Sequence, residues 1–492
     1  MLFIEQLKER YRIIIGYVGT IIIGVGVVMF LPLTIIFAYP NEITSIPCFS
    51  LPAISLIALG LFFRKIYHKR EDITLTVTEG GIIVIFSWFI AMLFSSIPFL
   101  IGTNLNFTQA FFESVSGWTT TGLSVINVKE INHVFLLWRS LMQFFGGAGI
   151  AVIMMSAIIG PLGSGLYHAE ARTDKLLPNV IRSTKLITKI YLSYTLAGFF
   201  LYVLAGMPWF DSLIHSLSAL STGGFSSQIE SIGFYNSIKI EAVSIVLMLL
   251  GTTNFGAHYL LLRGSFRKFF KVGEVRLNLV LLSLSIPIVT YFFLINIYES
   301  IGKSIRVGIF EIVSALSTTG YSTTGYLNWP AFPFFIIIVF MIIGGGTGST
   351  AGGFKQYRFL ILLKSLYWNI KRFFLPDRIV TKHYINRPDG KLFIPKSHFI
   401  EISNFFTLYI ISFSLGTLII SSFGYELKDA MFEFASALGT VGLSIGITSS
   451  SAPKGVLWTQ IVGMILGRLE FMVVFYAIIK LFRDMSFMTR KK

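Results

Sequence analysis

FESVSGWTTTGLS (112–124) recurs without a gap as IHSLSALSTGGFS (214–226), FEIVSALSTTGYS (310–322) and FEFASALGTVGLS (432–444). Four columns are identical throughout: Ser116/Ser218/Ser314/Ser436, Thr120/Thr222/Thr318/Thr440, Gly122/Gly224/Gly320/Gly442 and Ser124/Ser226/Ser322/Ser444. A fifth holds only Gly117 and the alanines Ala219, Ala315 and Ala437. The glycines of the third column lie 102, 96 and 122 residues apart, so each copy belongs to a unit far longer than the motif.

Around these motifs the chain is apolar. Of its 492 residues 54% are hydrophobic and 13% charged, with a mean hydropathy of +0.74, whereas a soluble domain carries about 25% charged residues. Ten runs have the length that crosses a bilayer, about 20 helical residues for about 30 Å of hydrocarbon. They are 14–38, 46–63, 80–101, 133–160, 186–208, 239–262, 277–299, 329–362, 401–423 and 456–482. The first is too long, and too soon followed by others, for a cleaved signal peptide. With the N-terminus inside, and with charges near span ends counted on the nearer side, 32 Lys and Arg fall on the cytosolic side and 6 outside, with Arg139 and Arg468 deeper within spans. That bias predicts cytosolic termini and explains the net charge of +16 without nucleic acid as a partner. A soluble enzyme is excluded, and a single cysteine, Cys48, excludes an intrachain disulfide.

The motifs are too short to span. Residues 107–118 predict a 12-residue helix, about 18 Å long. Non-helical backbone at membrane depth survives only where protein buries it or where it lines a water-filled cavity. The four segments therefore read as half-helices that enter and return. The spans after them repeat too, as QFFGG (143–147), MLLGT (248–252), MIIGG (341–345) and MILGR (464–468), with Gly146, Gly251, Gly344 and Gly467 at a common break. The expected fold class is an all-α membrane protein: four outer-helix, pore-loop, inner-helix repeats with pseudo-fourfold symmetry around one pore, plus two extra N-terminal transmembrane helices. The units are 1–75 for the extra spans, 76–185, 186–276, 277–362 and 401–492 for the repeats, and a basic linker, 363–400.

Four such loops around one axis suit a cation filter. Glycine takes backbone angles that turn successive carbonyls one way, and a ring of carbonyls replaces the hydration shell of potassium. Each half-helix aims its carbonyl end, about half a negative charge, at the centre. The candidate ion ligands, mainly through backbone carbonyls, are Thr120, Thr121, Gly122, Thr222, Gly223, Gly224, Thr318, Thr319, Gly320, Thr440, Val441 and Gly442. Thr440-Val441-Gly442 matches the start of the TVGYG potassium-channel signature, but serine replaces its second glycine in all four copies. Modest discrimination of potassium from sodium is therefore expected. The column Glu113, His215, Glu311, Glu433 allows two readings, shaping the filter's field or bonding the filter from behind; His215 excludes a symmetric carboxylate ring. Asp211 and Asp429 add to the external negative charge.

With these features the chain resembles the Trk/Ktr/HKT superfamily of potassium transporters over nearly its whole length. The two leading spans, GGGTGSTAGGFK (344–355) and GRLE (467–470) are similar to its bacterial TrkH/TrkG branch. The resemblance implies potassium uptake through a gated, channel-like pore and no enzymatic activity. It implies a homodimer in the bacterial inner membrane, one pore per protomer, in contact with membrane lipid. It further implies a cytosolic nucleotide-binding ring resembling TrkA, and no cofactor beyond potassium ions in the filter. Obligatory coupling to sodium or protons, or a place as the translocating subunit of an ATP-driven pump, remain alternatives at this level.

The resemblance also implies that the intramembrane loop 344–353 obstructs the pathway and moves. The candidate gate is Gly344, Gly345, Gly346, Thr347, Gly348, Ser349, Gly352 and Gly353 with Arg468. Arg468 aligns with Gly147, Thr252 and Gly345. A guanidinium is always charged and is costly near the bilayer centre unless paired or wetted; in a cation pathway it is a barrier. A structural ion pair is the alternative, though Glu470, two residues on, does not share its helix face. Gly348–Gly353 nearly makes a phosphate-binding loop, but Phe354 takes the lysine's place and a span, not a strand, precedes it. Asn254 and His258, four apart, suit helix-packing hydrogen bonds. In the linker, Asn386-Arg387-Pro388-Asp389-Gly390 predicts a hairpin. Lys371, Arg372 and Arg378 are candidate docking residues for the ring.

Overall fold

The computed structural model describes residues 2–66, 76–149, 180–298, 300–376 and 383–489. Arg378 and the expected span beyond 149 lie outside the described residues. The chain opens with α1 (Leu2–Val28) and α2 (Ile46–Ile66). The two cross where neither carries a side chain: a Cβ on Gly19 would lie 2.7 Å from the Gly60 carbonyl, and one on Gly60 2.7 Å from that of Gly19. Such close approach through small residues is how helices associate in membranes, where lipid is as apolar as leucine.

The first repeat is α3 (Val77–Gly102), α4 (Phe107–Trp118) and α5 (His133–Ala148). Reciprocal side-chain and backbone hydrogen bonds start α3 (Thr76 with Glu79) and α4 (Asn106 with Gln109). The second is α6 (Val180–Leu204), α7 (Trp209–Leu220), α8 (Ile238–Thr252) and α9 (Phe255–Leu262), followed by the short α10 (Phe266–Phe269). The third is α11 (Gly273–Phe292), α12 (Ile301–Ser317), α13 (Ala331–Ile343) and α14 (Gln356–Phe373). A hairpin of β1 (Tyr384–Arg387) and β2 (Gly390–Phe393) follows, paired antiparallel with Arg387 opposite Gly390 across a Pro388-Asp389 turn. The fourth repeat is α15 (Lys396–Ser421), α16 (Leu427–Leu438), α17 (Lys454–Leu469) and α18 (Phe471–Thr489). Helices α11, α14 and α15 run across the expected unit limits at 276/277, 362/363 and 400/401.

Among the described residues six helices are long and apolar enough to cross a bilayer, beginning at Glu5, Pro40, Thr78, Ser183, Gly273 and Lys396. The inner helices of repeats two, three and four end at Thr252, Ile343 and Leu469, within two residues of the expected break glycines Gly251, Gly344 and Gly467. The α8–α9 pair bends by 109° and the α17–α18 pair by 99°, while α13 stops after 13 residues. The breaks have local causes. Asn254 caps the restarted α9 by accepting from Gly256 N at 2.6 Å, and Glu470 takes a left-handed φ of 62° between α17 and α18. Leu196 and Phe200 on α6, Leu284 and Tyr291 on α11, and Leu415 and Leu418 on α15 are all exposed. An apolar exterior of this extent is lipid-facing rather than aqueous.

Candidate ion pathway

The four half-helices α4, α7, α12 and α16 end in the same turn. The amide of Thr121, Gly223, Thr319 or Val441 donates to the carbonyl of Ser116, Ser218, Ser314 or Ser436, at 2.9, 2.8, 3.1 and 2.8 Å respectively. The preceding threonine is left-handed each time, with φ of 56° at Thr120, 52° at Thr222, 57° at Thr318 and 50° at Thr440. Two positions later Gly122, Gly224, Gly320 and Gly442 have φ between 76° and 97°. The serine hydroxyls secure the turn: Ser116 Oγ accepts from Gly122 N at 3.1 Å and donates to Leu123 O at 2.6 Å, and Ser436 Oγ accepts from Gly442 N at 2.9 Å.

These strands close a ring. A Cβ added to Gly122 would strike the Gly223 carbonyl, one on Gly224 that of Thr319, one on Gly320 that of Val441, and one on Gly442 that of Thr121. Each strand thus rests its glycine on the carbonyl of the next repeat, in chain order, and the last returns to the first. Above the ring a cavity of about 370 Å³ is lined by Gly122, Gly224, Gly320 and Gly442 together with Ser124 and Ser444.

Of the two readings of the Glu/His column, the structure selects bonding from behind. Glu113, His215, Glu311 and Glu433 are fully buried. Glu113 accepts from Ser124 Oγ, from Val125 N at 3.0 Å and from Ile126 N at 3.1 Å. Glu433 accepts from Ser444 Oγ and Thr448 N, both at 2.7 Å, Glu311 from Thr323 N at 2.7 Å, and His215 Nε2 lies 2.9 Å from Ser226 Oγ. The serines at the second-glycine position in strands one, two and four therefore turn their side chains into these braces. Asp211 likewise accepts from Ser227 and Tyr235 at 2.5 and 2.6 Å.

Residues 344–355 fold directly beneath the ring, with positive φ at Gly344, Gly348, Gly353 and Lys355. Gly352 N donates to Thr318 Oγ1 at 2.7 Å, Thr350 Oγ1 is 3.3 Å from Thr222 Oγ1, and Gly352 packs against Gly439 and Thr440. The loop thus touches the inner ends of three strands and engages two of the four threonine hydroxyls. Its outer turn is tied to other elements: Thr347 N donates to Glu274 at 2.7 Å, Asn254 Nδ2 donates to Thr347 O, and Phe255 N to Gly348 O at 3.1 Å. Gly345 N bonds Gly352 O at 3.3 Å, and Ser349 Oγ donates to Gly346 O at 2.6 Å.

Arg468 completes the fourth side. It donates to Thr350 O at 2.9 Å, Gly146 O at 2.5 Å and Gly147 O at 3.1 Å. Glu470 instead pairs with Arg358 at 2.6 Å. Asn254 and His258 both belong to α9: Asn254 caps it and binds the loop, while His258 Nε2 lies 2.9 Å from Leu250 O. Among the described residues no group of three His, Cys, Asp or Glu side chains could hold a metal ion.

Sequence reasoning missed two groups here. Arg139, buried on α5, donates to Ser226 O at 3.3 Å and Ser124 Oγ at 2.9 Å, 3.6 Å from Glu113, so it clamps strands one and two together. Its charge inside an apolar span was the available signal. Glu274, at the start of α11, left no signal, since a carboxylate beside Lys271 and Arg276 reads as ordinary interfacial charge.

A family profile described as TrkH, cation transport protein, matches residues 53–489. An uncharacterized cation transporter of Methanocaldococcus jannaschii is 31% identical over 95% of this chain and 95% of its own. The Trk system potassium uptake protein TrkH of Salmonella typhimurium is 31% identical over 82% of this chain and 85% of its own. The crystal structure of the potassium transporter TrkH from Vibrio parahaemolyticus superposes with a TM-score of 0.81 at 28% identity, covering 94% of this chain and 98% of that one.

Proposed function

The chain belongs to the TrkH family of cation transport proteins, and from that premise we propose that it takes up potassium through a gated, channel-like pore. The filter is Thr120–Gly122, Thr222–Gly224, Thr318–Gly320 and Thr440–Gly442. The observation that carries this reading is the closed ring in which each filter glycine rests on the next repeat's carbonyl. A ring of backbone carbonyls substitutes for a cation's hydration shell. Potassium is the cargo, and the family is one of transport proteins rather than enzymes.

The loop 344–353 and Arg468 form the gate. Their contacts beneath three strands support that role, as does the cost of a guanidinium in a cation pathway. The positive-inside bias supports a plasma-membrane protein with cytosolic termini. The protein works as a homodimer embedded in lipid, opened by a cytosolic nucleotide-binding ring resembling TrkA. A cavity of about 440 Å³ between Lys268, Lys271 and Arg276 on one side and the hairpin's Arg387 and Lys391 on the other supports docking of an acidic surface, with Asp389 the one carboxylate among its described lining residues.

Rubidium flux into proteoliposomes tests the function. Uptake driven by membrane potential alone, rising when the ring is added and accompanied by discrete single-channel openings, is expected. Flux that requires a sodium or proton gradient, or ATP hydrolysis, overturns the channel reading.

A further inference from the structure

The four filter strands are not equivalent, and the difference sits at one contact. In the column just before the filter glycine, strands one, three and four carry Thr121, Thr319 and Val441, but strand two carries Gly223. In the inner-helix column that begins QFFGG, repeats two, three and four carry Met248, Met341 and Met464, but repeat one carries Gln143. The two departures touch. A Cβ on Gly223 would fall onto the Gln143 side chain, with Cγ at 2.8 Å. Gln143 fills, from the neighbouring repeat, the space that a residue's own side chain takes in the other strands.

The contact is polar on both sides. Gln143 is fully buried; its Nε2 donates to Gly223 O at 2.5 Å, and its Oε1 accepts from Phe225 N at 3.1 Å. The Gly223 carbonyl is also the ring oxygen on which Gly122 rests. A carbonyl has two lone pairs, so one is held by the amide and the other stays available to an ion. Elsewhere the same position is steadied locally. Thr121 Oγ1 lies 2.7 Å from Thr119 Oγ1 and Thr319 Oγ1 2.8 Å from Ser317 Oγ, while Val441 is buried among apolar side chains. Strand two has consecutive glycines, Gly223 and Gly224, with the most backbone freedom to lose, and no side chain of its own there to fix it.

We infer that Gln143 is a selectivity-determining positioning residue, holding the second filter strand so that the Gly223 carbonyl stays in register with those of Thr121, Thr319 and Val441. This rests on the reading of the four loops as the filter. Without the amide the Gly223 carbonyl loses its fixed partner, the Phe225 amide loses its acceptor, and the glycine pair is free to turn its oxygen away from the ion.

The test measures potassium-to-sodium permeability ratios, from reversal potentials in bilayers, for the full-length wild type, Gln143→Met, the double variant Gln143→Met/Gly223→Thr, and Gly442→Ala. Gln143→Met should lower the ratio about fivefold, the equivalent of about 1 kcal/mol, one hydrogen bond's net worth, while rubidium flux persists. The double variant gives the inner helix of repeat one and strand two the residue types that Met248 of repeat two and Thr319 of strand three supply at the equivalent positions, and should recover the ratio to within about twofold of wild type. A Gln143→Met ratio unchanged while Gly442→Ala loses selectivity overturns the role of Gln143 and leaves the filter assignment standing. If neither variant shifts the ratio, the filter assignment fails and this inference with it. Lower flux at constant ratio in Gln143→Met marks a merely structural residue and also overturns it.

Discussion

Replacing Arg468 with alanine should open the pathway in the absence of any partner. Among the described residues, hydrogen bonds to Gly146 O and Gly147 O anchor the guanidinium to repeat one, and one to Thr350 O reaches the intramembrane loop. A hydrogen bond from a charged donor contributes about 1.5–3 kcal/mol. Taking about 2 kcal/mol as the loss specific to the closed loop, the open-to-closed ratio rises about thirtyfold at about 1.4 kcal/mol per decade. Basal rubidium uptake into proteoliposomes without the ring should rise correspondingly until the open state dominates. The potassium-to-sodium ratio should hold, because the hydrogen bonds to Gly146 O, Gly147 O and Thr350 O leave the ring of Gly122, Gly224, Gly320 and Gly442 untouched. Arg468→Lys separates the two contributions to closure. An ammonium keeps the charge but lacks the fork that bridges separate carbonyls, so it should raise basal flux by less than alanine does. If alanine at 468 yields a folded protein of wild-type size whose basal flux is at or below wild type, the latch is refuted.

Gly442→Ala and Gly122→Ser should erode ion selectivity before they abolish flux, since each puts a side chain at a φ above 90° and against a ring carbonyl; unchanged reversal potentials would remove these residues from the filter. Glu274→Ala leaves the half-buried Thr347 amide without its acceptor, a loss of about 1–3 kcal/mol, and should raise basal flux several-fold. Glu274→Gln keeps an accepting oxygen and should raise it much less, so equal effects from both would point to charge rather than to the hydrogen bond. Reversing Lys371, Arg372 and Arg378 to glutamate should weaken capture of the regulatory ring in pull-downs at moderate salt, and undiminished capture would locate docking elsewhere.

The ring of four loops was legible because its geometry is severe. A left-handed threonine and a glycine pressed on a neighbour's carbonyl leave almost no freedom at those columns, so the four copies advertise themselves. The shared serine was visible as an identity, but its task at Ser116, Ser314 and Ser436, bonding the strand that follows, depends on a turn that spacing alone does not specify. The inner-helix glycines were legible for a different reason than the one they serve. Gly146, Gly251 and Gly467 seat the inner helices against the carbonyls of Trp118, Leu220 and Leu438, and the helices break only at the residues that follow. Hydropathy runs unbroken through 239–262 because a bend of 109° leaves side-chain polarity untouched. What stabilises it, Asn254 bonded to Gly256 and to Thr347, pairs residues 93 apart in the second case. Contacts of that separation leave no periodic trace. Gln143 and Gly223 left one of another kind, two exceptions to the repeat that only proximity explains.

The ring is closed by one polypeptide rather than by four copies of a shorter one, and this changes what a single codon does. In an assembly of identical subunits any substitution enters at every corner at once, and the symmetry of the oxygens survives the mutation. Here a change at Gly224 alters one corner, against Thr319 and the Gly320 backbone, and leaves the carbonyl seats of Gly122, Gly320 and Gly442 in place. Each corner can therefore drift separately, with its neighbours setting the limit. The amide-held carbonyl at Gly223 is an asymmetry that a homotetramer cannot encode.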